Sequence, residues 1–150
     1  MLGFALILAG CGGSGSGKWQ QVQGEGFTYS APSAWTVAGA AATGGGVARV
    51  EVLVFRLLRP YDPSQRAATA RELDRVAARL ATQLKGTIAS RQARPVGGLD
   101  ARSYSIRFGG KVEQITFVLH EQSEYQLLCR RAAGGDDAPC AELLQSFALG

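Results

Sequence analysis

Histidine is almost missing from this chain: one residue, His120, among 150. Cysteine occurs three times, and thirteen arginines stand against three lysines. These shortages exclude whole classes of chemistry. A Cys/His zinc set takes about four ligands, and once Cys11 is assigned to lipid through the apolar stretch it closes, only Cys129, Cys140 and His120 remain. A Ser or Cys nucleophile needs a positioned base, for which His120, flanked by Glu121 and Glu124, is the sole candidate of the usual kind. No G-x-S-x-G elbow accompanies it. Asp136 and Asp137 lack the D-x-D-x-D-G spacing of a calcium loop. No apolar run reaches the roughly 20 residues of a membrane-spanning helix. The basic residues never cluster five or more together, so a nucleic-acid footprint is excluded. No catalytic residue, metal or cofactor is expected, and an enzyme assembled around His120 is the weakest alternative.

What is present suffices for one packed domain. Apolar residues make up 46% and charged residues 19%, which supports a core and argues against disorder beyond an N-terminal Gly/Ser stretch. The length fits a single domain. The net charge of +4 is spread along the chain and reads as solvated surface charge. Beside an anionic membrane it adds weak attraction.

Residues 1 to 11 read MLGFALILAGC. Leu8-Ala9-Gly10-Cys11 resembles the lipobox of bacterial lipoproteins, in which the signal is cut before the cysteine and its thiol takes a diacylglyceryl group. The resemblance implies a signal peptide over residues 1–10, lipidation at Cys11, and a cell-envelope protein anchored to the membrane and facing outside the cytoplasm. A signal usually has 15–30 residues and a basic n-region. Here only ten residues precede Cys11 and none is basic, so the signal is expected to begin upstream of Met1. The alternative is an apolar tail with an ordinary cysteine. Residues 11–18 read as a lipidated cysteine and flexible linker, the stretch from Gly12 to Lys18 spanning about 15 Å, with the domain following over 19–150. Gly12, Gly17 and Lys18 also match G-x-x-x-x-G-K. Trp19 replaces the Ser/Thr that would hold magnesium and no strand precedes the loop, so the stretch reads as a tether.

With Cys11 assigned to lipid, Cys129 and Cys140 remain as an even pair. A bridge would close ten intervening residues rich in Gly, Ala and Asp, contributing about 2–4 kcal/mol in an oxidising compartment. The competing reading, two metal-binding thiols, lacks further ligands.

The periodicity describes an α+β domain: an antiparallel β-sheet carrying a long helix over about 63–84 and a short one over about 139–145. Phe27 and Tyr29 alternate with polar residues as in a half-buried strand, and Trp35 and Val37 resume the pattern after a turn at Pro32. Gly39 to Gly46 reads as a mobile loop. Val47 to Leu58 is the longest β-like run, apolar on both faces toward its C-terminal end, which predicts a central strand covered on both sides. Asp62, Pro63 and Gln65 spell a helix start with a capping box, and Gly86 a stop. Leu73, Ala77, Leu80 and Leu84 make an apolar stripe. Arg71, Arg75 and Arg79 form a basic row that is either a solvated face or a surface for an anionic partner. From Thr87 the pattern is strand-like again. A strand bearing Tyr104, Ile106 and Phe108 turns at Gly109-Gly110 into one bearing Ile115, Phe117 and Leu119 opposite Thr116, Val118 and His120. A turn at Gln122 to Glu124 leads to Tyr125, Leu127 and Cys129, completing a meander. Asp137 caps a last helix that turns Leu143, Leu144 and Phe147 inward.

The opening F-x-Y-x-x-P-x-x-W-x-V of Phe27 to Val37, the helix over 63–84, Gly97-Gly98-Leu99-Asp100-Ala101 before a strand, and Cys140 through Phe147 together resemble the PsbP-like fold. That fold is shared by the photosystem II extrinsic protein PsbP, a eukaryotic Ran-binding transport factor and small bacterial lipoproteins. The resemblance covers nearly all of the mature chain. It implies a scaffold, assembly or binding role with a protein partner, and no metal or photosystem residues transfer to this sequence. The functional expectation is a membrane-anchored, non-catalytic binding or assembly module. The alternative is a carrier that holds a small apolar or lipidic ligand between sheet and helix.

Overall fold

A computed structural model of the chain describes residues 17–150. Strands β1 (Trp19–Gly24) and β2 (Phe27–Pro32) pair antiparallel across a tight turn at Gly26, whose φ of +79° suits glycine. Along β2, Phe27, Tyr29 and Ala31 point into the core and the residues between them do not, as the alternation requires. A two-residue strand, β10 (Ala148–Leu149), joins the other edge of β2 to complete a three-stranded sheet.

The remaining strands form one antiparallel sheet. They are β3 (Thr36–Ala38), β4 (Ala41–Thr43), β5 (Arg49–Arg56), β6 (Thr87–Ala93), β7 (Ala101–Phe108), β8 (Lys111–His120) and β9 (Ser123–Ala132), in the order β3-β4-β5-β9-β8-β7-β6. The β7–β8 hairpin turns on Gly109 and Gly110, both at positive φ, as a two-residue primed turn demands. Helix α1 (Arg66–Gln83) covers one face, setting Leu73 and Ala77 on Tyr104, Ile115, Phe117 and Leu119. Helix α2 (Ala138–Ser146) and the small sheet cover the other, where Phe27, Tyr29, Tyr125, Leu127, Leu143 and Phe147 pack. Strand β8 is therefore enclosed on both sides, which is why Ile115 to Leu119 are buried without interruption. Among the described residues no helix is long and apolar enough to cross a membrane.

Several details differ from the sequence reading. The sheet is two sheets, because the first two strands pair with the chain's last residues rather than with the meander. The expected mobile loop at 39–46 contains β4. Its Ala42 is fully buried, and a side chain on Gly44 would collide with the Trp35 indole at 2.5 Å, so the small residues there serve close packing. The C-terminal end of β5 is not covered. β4 reaches only Arg49 to Glu51, leaving Val54 and Phe55 exposed and Leu58 fully so. The turn after His120 is Glu121-Gln122, one step earlier than expected, with Glu121 at φ +51°.

The helix ends also depart in detail. Asp62 accepts from the Ser64 N–H at 2.9 Å, but Gln65 makes no capping bond, and the first turn is a 3₁₀ turn over Pro63–Gln65. Lys85, at φ +55°, takes the left-handed position at the end of α1, while the Gly86 N–H returns to the Ala81 carbonyl. Gly86 is needed for a different reason: a Cβ there would lie 2.4 Å from the Arg107 carbonyl. Ala81 replaces Leu80 and Leu84 in the buried stripe, those two being half-buried. Asp136, not Asp137, accepts from the first N–H of α2.

Candidate functional site

Before Leu73, α1 presents Ala67 and Ala70 toward the ends of β6 and β7. These side chains are too small to close the gap. A groove of about 640 Å³ results, within the roughly 300–1,000 Å³ of small-molecule sites. Leu73 and Leu119, backed by the buried Phe117 ring, make its apolar floor, and Tyr61, Arg66, Arg94, Pro95, Asp100 and Arg102 stand around it.

Two polar networks hold the walls. From α1, Asp74 accepts from the Tyr104 hydroxyl at 2.6 Å and from Arg102 Nε at 2.9 Å, and Arg102 Nη2 reaches its second oxygen at 3.3 Å. The Tyr104 hydrogen bond, more than the Arg102 charge, holds the Asp74 carboxyl below the usual carboxylate range. At the groove mouth Asp100 accepts from the Tyr61 hydroxyl at 2.8 Å and from Arg66 Nη2 at 2.9 Å. Its carboxyl is likewise lowered, chiefly by Tyr61. Arg66 and Arg102 are thus each matched by a carboxylate. Arg94 makes no ion pair among the described residues, and it lines both the groove and a second, more polar depression beside Asp137 and Arg131.

Burial, followed by the hydrogen bond to Asp74, pushes the Tyr104 hydroxyl up to about 12. Tyr29, whose hydroxyl donates to the Ala40 carbonyl at 2.8 Å, is also raised to about 12, again mainly by burial. An unfolded chain loses these protons near pH 10. Stability should therefore be intact below about pH 10 and fall from there to pH 12, by up to about 1.4 kcal/mol per pH unit for each tyrosine. Urea midpoints taken across that interval measure the slope, and Tyr104→Phe should roughly halve it. A flat profile would contradict the burial of both hydroxyls.

The structure does not gather the sequence candidates into this site. Cys11, together with Gly12 of the P-loop-like match, lies outside the described residues. Lys18 is already part of the fold, its carbonyl accepting from the Ser33 N–H at 3.0 Å and its ammonium standing over the Trp19 ring. Arg71, Arg75 and Arg79 are exposed on α1 and outside the groove, and Arg75 pairs with Glu72. His120 lies 3.6 Å from Glu121 at a turn, with no side-chain hydrogen bond among the described residues. Nor do these residues hold a cluster of three or more metal-type ligands. Cys129 of β9 and Cys140 of α2 do meet, their sulfurs 2.01 Å apart.

The groove residues escaped the sequence because nothing local marks them. Asp74 sits one position from the buried stripe, and only tertiary pairing reveals that it faces Tyr104 and Arg102.

No family model matches the chain, and no curated protein matches it significantly in sequence. Solved structures do. The solution structure of cyanobacterial PsbP (CyanoP) from Synechocystis sp. PCC 6803 superposes with a TM-score of 0.60 at 17% identity, covering 95% of this chain and 99% of that one. A crystal structure from Bacteroides thetaiotaomicron VPI-5482 gives 0.58 at 12% identity, covering 89% of this chain, which spans 48% of that longer one. At these identities the likeness concerns architecture, and the order of strands and helices leads to the same place: the chain has the PsbP-like fold.

Proposed function

We propose that this chain is a lipid-anchored, extracytoplasmic, non-catalytic binding module whose binding surface is the groove beneath α1. The observation that carries the reading is the placement of the groove relative to the point where the chain enters the domain. Lys18 and Trp19 lie beside Cys129 to Ala132, which pair with Lys111 to Gln114 at the start of β8. The groove floor, Leu119 backed by Phe117, belongs to the other end of that strand. From Gln114 to Leu119 is about 17 Å along it. A tether running back to a lipidated Cys11 therefore holds the Lys18 end toward the membrane and leaves the groove open on the far side. The buried, paired cysteines favour an oxidising compartment, and Arg71 and Arg79, unpaired among the described residues, are free for an acidic protein partner.

Metabolic labelling with an alkyne-tagged fatty acid tests the anchor. Expressed in its native host with its own upstream sequence, the wild-type chain is expected to incorporate label and sediment with membranes, and Cys11→Ala to lose both. A wild-type chain that stays unlabelled and soluble overturns the anchored reading.

A further inference from the structure

We propose that the groove takes a single-chain amphiphile with one negative charge, a long-chain carboxylate, its alkyl chain along Ala67, Ala70, Leu73 and Leu119 and its head at Arg94. This deepens the reading of the groove as the binding surface and rests on it. The charge follows from pairing. Three arginines surround the opening, but Asp100 matches Arg66 and Asp74 matches Arg102, leaving Arg94 as the one of the three without a carboxylate partner among the described residues. One free guanidinium matches one carboxylate.

The alkyl chain follows from what the walls withhold. An extended peptide needs donors and acceptors along its length. Here the helical wall has its backbone groups engaged within α1. Beside Arg94, the backbone N–H is spent on the Ala101 carbonyl at 3.1 Å, and Pro95 has none to offer. With Ala67 and Ala70 on one side and Leu73 and Leu119 beneath, the interior suits methylene groups, and a peptide would find backbone partners only along the outer edge of β6 at Ala93.

The test uses the full chain carrying Cys11→Ser, titrated calorimetrically with octanoate, decanoate and dodecanoate. Affinity is expected to rise about fourfold per added methylene. Arg94→Gln should weaken every chain length by the same factor, roughly tenfold, with the slope kept. Ala70→Phe, which fills the groove, should flatten the slope. Should that variant fail to fold, Ala67→Phe, at an exposed helix position, supplies the same readout. Dodecyltrimethylammonium, with an equal tail and opposite charge, should bind far more weakly. The proposal is overturned if the folded chain gives no heat with dodecanoate, if affinity ignores chain length, or if the cationic amphiphile binds as tightly. Because the Cys11→Ser variant has no thiol at position 11, the outcome is independent of the anchor, and failed labelling at Cys11 leaves it standing.

Discussion

Phe117→Ala is expected to destabilise the domain by about 3–5 kcal/mol. The ring is fully buried in the C-terminal half of β8, beneath α1, and meets Tyr104 edge-on with centroids 6.0 Å apart. Removing it forfeits the transfer free energy of the ring, the aromatic pair, and the support on which Leu73 rests. Strands β7 and β9 flank β8 on either side, so the backbone has little freedom to collapse into the space. In urea the midpoint should drop with the slope kept. Phe108→Ala is the internal control. Its ring is half-buried near the other end of β7, with Lys111 and Arg130 each 5.2 Å above it, and cation–π contacts at such sites contribute about 0.5–1 kcal/mol. A Phe117→Ala cost no larger than that of Phe108→Ala would mean that α1 is not anchored through this ring.

The same ring shows why part of the fold could be read from sequence. Ile115, Phe117 and Leu119 alternate with Thr116, Val118 and His120, and that alternation alone sets the inward face of the strand. That Thr116 and Val118 are buried as well depends on α2 and the small sheet arriving on the other side. Asp62-Pro63 and Gly109-Gly110 are equally local signals, since capping and positive φ are settled within a few residues. The expectations that failed depended on distant chain. Val47 to Leu58 carries as much apolar character as β8, yet its end is exposed because β4 is only three residues long. The Ala/Gly stretch around Ala42 looks like a loop by composition, and only the approach of Trp35 and β5 makes small residues a packing requirement. The Asp74–Tyr104–Arg102 network joins a helix to a strand about thirty residues away, and a single sequence contains no periodicity that records such a match. The groove exists for a similar reason. Ala67 and Ala70 are unremarkable helix formers until the strand ends opposite them are in place.

Removing the Cys129–Cys140 link should cost about 3 kcal/mol. With ten residues enclosed, loop-closure entropy of the unfolded chain gives a value of that size. The cross-link joins the end of β9 to the first turn of α2. That helix carries Leu143 and Leu144 into the core shared with Phe27 and Tyr125, and its Ser146 hydroxyl accepts from the Ser30 N–H at 2.8 Å. Without the link, α2 and the small sheet are held to the large sheet by noncovalent contacts alone. Thermal unfolding of Cys129→Ala/Cys140→Ala should therefore fall by on the order of 10 °C. In the wild-type chain both sulfurs are shielded, the residues being 2% and 3% exposed, so dithiothreitol should act slowly on the folded protein and quickly once urea opens it. Equal melting temperatures for the bridged and double-alanine chains would show that the loop is already ordered when unfolded. The link and the groove lie on opposite faces of the large sheet, so the double variant should retain the alkaline titration of Tyr104 while losing stability. A coupled loss of both would mean that the two faces do not melt as separate layers but through β8, the strand they share.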